Sequence, residues 1–221
     1  SGDPPTKPMD IFGDNWKNHR EKIIESWTST IQPEDTVIMA GDLSWATHLP
    51  DALNDLKMLG SLPGRKIIVR GNHDYWWDTV TKMKRMTNNA FEFLHNNALQ
   101  VNDIALAGTR GWIPETSRKF TEDDQKIVLR EEGRMERSLQ EAKKLNCSKI
   151  IAVLHYPPFD ENRQPTHMMQ LIASYGVSDV IYGHIHGQQN FHNLPEELGG
   201  VKLHLTSSDY LDFKPLLIQE W

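Results

Sequence analysis

Four short apolar runs, each leading straight into a residue able to hold a metal ion, constrain this chain more than any other feature. Residues 36–40 end in Gly41-Asp42, and residues 66–70 end in Gly71-Asn72-His73-Asp74. Residues 149–154 end in His155, and residues 179–182 end in Gly183-His184-Ile185-His186-Gly187. Uninterrupted apolar runs of this length read as strands buried on both faces. Helical periodicity lies between them, over 15–30, 50–59, 76–86, 122–145 and 167–175. That alternation predicts a sheet with helices packed on it. In open α/β sheets, ligands sit just beyond the carboxyl ends of the strands. Further strands are expected over 91–94, 99–101, 104–107, 201–206 and 214–219, with Asn102-Asp103 as a tight hairpin turn. Residues 1–13 and 108–121 read as loops.

Taken singly, a Gly-Asp pair is a turn and a strand-end histidine is a structural one. Four such groups at four strand ends are hard to explain that way. Glycine before three of them lets the backbone turn sharply and approach an ion closely. His184 and His186, one residue apart, would face the same side of an extended segment. The donor set is Asp carboxylate, Asn carbonyl and His nitrogen, with Cys147 the only cysteine in the chain. It suits Mn, Fe, Co or Zn and disfavours copper(I) and iron–sulfur centres. The single cysteine also excludes a disulfide framework and fits a reducing, cytoplasmic compartment. A carboxylate such as Asp42 can bridge two ions about 3.5–4 Å apart, a pair that activates water and clamps a phosphoryl group. The net charge of −6 argues against an extended nucleic-acid partner. No apolar run approaches the roughly 18 residues that span a membrane.

In order and spacing, Gly41-Asp42, Gly71-Asn72-His73-Asp74, His155 and Gly183-His184-Ile185-His186 resemble the calcineurin-like metallophosphoesterases. The resemblance implies an α/β fold, a two-sheet sandwich flanked by helices in four layers. It implies a dinuclear, metal-dependent phosphohydrolase in which metal-activated hydroxide cleaves a phosphomonoester or phosphodiester of a small phosphorylated substrate. Carried over by position, Asp42 would bridge two divalent metals. Asn72, His155 and His184 would complete one shell, and His186 would bind the other ion. His73 would protonate the leaving oxygen, a role suited to an imidazole. Asp74 either orients His73 or caps the helix expected from residue 76. Arg110 either forks a phosphate or forms a surface salt bridge. Trp45, Trp76, Trp77 and Trp112 either wall a cleft or pack in the core, and His167 is a further candidate for substrate contact.

The family's opening motif, Asp-x-His, does not occur: no Asp in this sequence is followed by His two positions later. The expectation is a single metallophosphoesterase-like domain over 1–221 that lacks its first central strand. One metal then keeps Asp42, Asn72, His155 and His184, the other only Asp42 and His186, so at most one well-occupied metal is expected. A catalytically silent metal-binding or scaffold domain is the alternative. A metal-dependent amidase or deaminase fits less well, because the Asn ligand and the paired histidines would be unusual there. Substrate identity and oligomeric state are not written in these residues.

Overall fold

The computed structural model describes Met9 and residues 13–220. Most of the loop expected over 1–13 lies outside the described residues. In chain order the elements are α1 (His19–Thr30), β1 (Thr36–Met39), α2 (Leu49–Ser61), β2 (Arg65–Val69), α3 (Val80–Met86) and β3 (Glu92–Leu94). There follow β4 (Ala98–Val101), β5 (Ile104–Thr109), α4 (Glu122–Lys144), β6 (Lys149–Leu154), α5 (His167–Ser174), β7 (Asp179–Tyr182), β8 (Glu197–Leu198) and β9 (Val201–Leu205). One sheet has the order β1-β2-β3, all parallel. The other has the order β4-β5-β6-β7-β9-β8, parallel from β5 through β9 with antiparallel strands at both edges.

Side-chain alternation along the strands builds four layers. On β2, Ile67 and Val69 face the second sheet, where they meet Leu106, Ile151, Val153 and Ile181. Ile68 faces the other way, into a cluster with Ala52 and Leu56 of α2 and Met83 of α3. On the far side of the second sheet, Met135, Leu139 and Ala142 of α4 and Met169 and Ile172 of α5 cover Ala105, Ala152 and Val180. Helices therefore flank two facing sheets, the expected sandwich. All four predicted metal-bearing loops leave the carboxyl ends of β1, β2, β6 and β7.

The turn at Asn102-Asp103 joins β4 to β5, with Val101 opposite Ile104. Three expectations are corrected, and one further strand appears. The helix expected over 15–30 is a 3₁₀ turn at Asp14–Trp16 and then α1, interrupted where Asn18 takes a left-handed conformation (φ 54°). The helix expected from residue 76 starts only at Val80, because Thr79 caps it by accepting from the Lys82 N–H. Residues 214–219 form no strand; β9 already has β7 on one side and β8 on the other. The unexpected β8 arises because Gly199 and Gly200 both take positive φ, 59° and 79°, the geometry of a two-residue hairpin.

Among the described residues β1 pairs on one side only, with β2. Its four residues are all half-buried. Beyond its free edge lies a cavity of about 1560 Å³, lined by Val37, Ile38, Leu106, Ile151 and Ile181 and reaching Asp42 and His184 at one end. The strand that carries Asp42 therefore has weaker lateral support than β2, β6 and β7. Leu139 is fully buried between α4 and the second sheet, whereas Leu129 on the same helix is 60% exposed. We expect Leu139→Ala to cost about 2–5 kcal/mol in urea unfolding and Leu129→Ala to stay within about 0.5 kcal/mol.

Candidate metal centre

The site begins with two glycine loops in close contact. A Cβ on Gly71 would lie 2.0 Å from Asp42 Oδ1, and one on Gly41 would lie 2.6 Å from the Gly71 backbone and 2.9 Å from His155 Nδ1. No larger residue fits either position. Gly41 (φ 93°) turns the chain off β1 and leaves Asp42 in the left-handed region at φ 58°. His184 is there too, at φ 70°. Such conformations in non-glycine residues persist only where their surroundings enforce them.

Asp74 provides that enforcement for Asp42. Fully buried, it accepts the backbone N–H of Gly71 (2.7 Å), Asp42 (2.8 Å) and Leu43 (2.9 Å), with Ser44 N–H at 3.4 Å and Trp76 Nε1–H at 3.0 Å. Burial pushes its carboxyl up to about 6, opposed by these N–H groups. Neither role expected of Asp74 holds. Thr79 caps α3, and Asp74 spends its oxygens on the loops and on Trp76 rather than on the His73 ring. The Asp42 carboxylate in turn accepts the His73 N–H at 2.8 Å, while the His73 ring stacks on Trp45 with centroids 4.6 Å apart. Of the four tryptophans, Trp45 stacks on His73, Trp76 donates to Asp74 and Trp112 lies under the Arg110 guanidinium. Trp76 is core at 2% exposure.

Asn72, His155 and His184 converge from three strand ends. Asn72 Oδ1 lies 2.6 Å from His155 Nε2 and 3.0 Å from His184 Nδ1. The two ring nitrogens are 3.2 Å apart, and Asp42 Oδ2 is 3.5 Å from His155 Nε2. Burial holds both imidazoles neutral, pushing His155 down to about 4 and His184 to about 3. Since His155 Nδ1 donates to the Ala40 carbonyl at 2.8 Å, its Nε2 carries a bare lone pair. Even with its own proton on Nδ1, His184 would have one hydrogen to share between Asn72 Oδ1 and His155 Nε2. Burial also pushes the Asp42 carboxyl up. Each of these features favours a shared cation, with no thiolate in the set. Ligand bonds of about 2.0–2.2 Å at octahedral to tetrahedral angles place neighbouring donors about 2.8–3.6 Å apart, so the set matches except for the tighter 2.6 Å contact. Among the described residues no group of three or more His, Cys, Asp and Glu side chains forms a ready cage. The convergence here runs through an asparagine.

His186 stands apart from that group. Its Nδ1 is 2.7 Å from Asp209 Oδ1, and Asp209 also accepts the Gly187 N–H at 2.8 Å. Burial opposes ionisation of Asp209, but the hydrogen bonds from His186 and Gly187 hold its carboxyl below the usual range. A carboxylate on one ring nitrogen of a histidine is the arrangement that orients metal ligands through the other. Sequence reasoning missed Asp209, which no local motif marks. It also missed Tyr156, whose ring lies 4.2 Å from that of His184. The Arg110 carbonyl accepts the N–H groups of His155 and Tyr156, at 3.1 and 3.0 Å. Its guanidinium is no surface group: the side chain is 14% exposed and reaches buried Glu131 at 3.4 Å. His167 pairs with Glu132 at 2.9 Å on the surface.

A family model described as calcineurin-like phosphoesterase matches residues 10–188. The chain belongs to that family. Its members are metallophosphoesterases that generally bind divalent metals, so this chain is of a hydrolase family. The fold is similar to that of TT1561 of Thermus thermophilus, at 17% identity and TM-score 0.58, covering 86% of this chain and 84% of that one. The phosphopantetheinyl hydrolase of Mycobacterium tuberculosis aligns at 14% identity and TM-score 0.49, covering 85% and 86%. No curated protein sequence matches the chain. No helix among the described residues is long and apolar enough to cross a membrane.

Replacing Asp74 by Ala would orphan the buried N–H groups of Gly71, Asp42 and Leu43. At about 1–3 kcal/mol for each buried orphan, we expect a loss of at least about 3 kcal/mol in chemical denaturation. A variant as stable as the parent would show that the loops hold themselves.

Proposed function

We propose that the chain is a metal-dependent phosphoesterase acting on a small phosphorylated substrate at the loops after β1, β2, β6 and β7. One observation carries this reading. Lone pairs from Asp42, Asn72, His155 and His184 meet with almost no proton to separate them. A divalent cation of the Mn, Fe, Co or Zn type would relieve that repulsion, and when bound it would polarise a phosphoryl oxygen and activate water.

The chain's own residues set the rest of the chemistry. The β1 and β2 loops, pinned by Asp74, fix Asn72 and Asp42 within reach of His155. His73 follows Asn72 directly, and its ring, held against Trp45 at the cavity, would give a proton to the leaving alkoxide. Asp209, held against His186 Nδ1, would orient that ring for a second, more weakly held ion. With Asp42 and His186 as its donors among the described residues, we expect one tight metal and one weak one.

Elemental analysis beside steady-state rates on aryl phosphates tests this division. Asn72→Ala and His184→Ala should lose metal and activity together, by about tenfold or more in affinity. His73→Ala should keep its metal and lose turnover by about 10²–10⁴-fold. A metal-depleted His73→Ala protein would overturn the acid assignment. A metal-loaded parent chain that hydrolyses no phosphoester would favour the silent metal-binding domain.

A further inference from the structure

Beside the metal-binding loops lies a group of cations with too few counter-charges. Arg70 is the residue between β2 and Gly71, and Arg110 directly follows β5. Both therefore sit at the carboxyl ends of strands, one from each sheet, and Arg134 reaches toward them from α4. Glu131 on α4 is the only carboxylate that Arg110 and Arg134 contact among the described residues. It is 1% exposed, and its oxygens are shared by the Thr109 hydroxyl, Arg134 at 2.5 Å and Arg110 at 3.4 Å. Asp74, the other buried acid nearby, is occupied by backbone N–H groups and Trp76. Arg70 has no hydrogen-bond or ion-pair partner among the described residues, and its Nε is buried without one. The same holds for Arg110 Nε and for Nδ1 of His95, whose charge field is set by Arg134, Glu131, Arg70 and Arg110. Three guanidinium groups share the charges of Glu131 and Asp74, leaving a surplus of one positive charge on a half-buried cluster.

A structural ion-pair network would balance its charges and satisfy its donors, because an unpaired buried charge is strongly destabilising. This one does neither. Its missing complement is an anion with several acceptor oxygens and a net negative charge. A phosphate has both, and guanidinium forks suit its geometry. An aromatic surface links the cluster to the metal-binding side chains. The Arg110 guanidinium lies 4.2 Å over Trp112, Trp112 is 5.4 Å from Tyr156, and Tyr156 is 4.2 Å from His184.

We propose that Arg70 and Arg110 bind a second phosphate of the substrate, so that the enzyme acts on compounds carrying two phosphate groups. This rests on the phosphoesterase reading for the fate of the first phosphate only. Calorimetry with inorganic pyrophosphate, on protein stripped of metal and kept in chelator, isolates the cationic site from the metal site. One equivalent should bind. Arg70→Met and Arg110→Met should each weaken it by about tenfold or more, Arg110→Lys by less, and the distant surface variant Lys17→Met not at all. Melting curves give a second reading. Removing the surplus charge by Arg70→Met should leave the melting temperature unchanged or raised, whereas a structural role predicts a fall. No pyrophosphate binding by the parent chain, equal binding by both Met variants, or a destabilised Arg70→Met would each overturn the proposal. Orthophosphate binding as tightly as pyrophosphate would identify a free-phosphate site and overturn the substrate assignment. Pyrophosphate binding without any phosphoester hydrolysis on adding Mn²⁺ would sink the phosphoesterase reading and leave the anion site standing.

Discussion

Everything at the carboxyl ends of the strands depends on one buried carboxylate. Asp74 gathers the N–H groups of two loops that leave neighbouring strands of the first sheet, and it can do so only because Gly41 and Gly71 let those loops touch. Through that clamp Asp42 is held in a left-handed conformation and Asn72 is brought against His155, a residue of the other sheet. The clamp matters more because β1, which carries Asp42, has a partner on one side only among the described residues. Hydrogen bonding to a fixed acid replaces part of the lateral support that a second neighbouring strand would give.

The second constraint is electrostatic. Burial removes charge from His155 and His184, and the Ala40 carbonyl takes the one proton of His155, so that lone pairs are aimed at one another. Side chains are not normally packed this way unless something positive completes the group. Across Tyr156 and Trp112 the opposite imbalance appears, with guanidinium groups lacking acceptors. Acceptors gathered on one side and donors on the other suit a ligand that is anionic at both ends and metal-bound at one of them.

Much of this was legible in the residues. The apolar runs before Asp42, Asn72, His155 and His184 marked both the strands and the loops they lead into, because a buried parallel strand leaves an uninterrupted apolar signature. The order of those motifs also pointed to the family, and hence to the sandwich. Other features were invisible for physical reasons. Asp74 looked like a helix cap or a catalytic partner because a sequence does not show which N–H groups will crowd around an acid. Asp209 has no motif near it and meets His186 only through the fold. The apolar pattern over 214–219 promised a strand, but a strand also needs a neighbour with a free edge, which is a property of the sheet. Arg110 invited two readings, and the structure supplies a third: an arginine that is paired, partly buried and still short of acceptors.

Whether His155 and His184 share one cation is read most directly by pulsed electron paramagnetic resonance of the Mn²⁺-loaded chain carrying ¹⁵N-labelled histidine. Two directly coordinated imidazole nitrogens are expected, falling to one in His184→Ala. A spectrum showing Mn²⁺ surrounded by water and carboxylate oxygen, with no histidine nitrogen bound to it, would contradict the metal centre at its root.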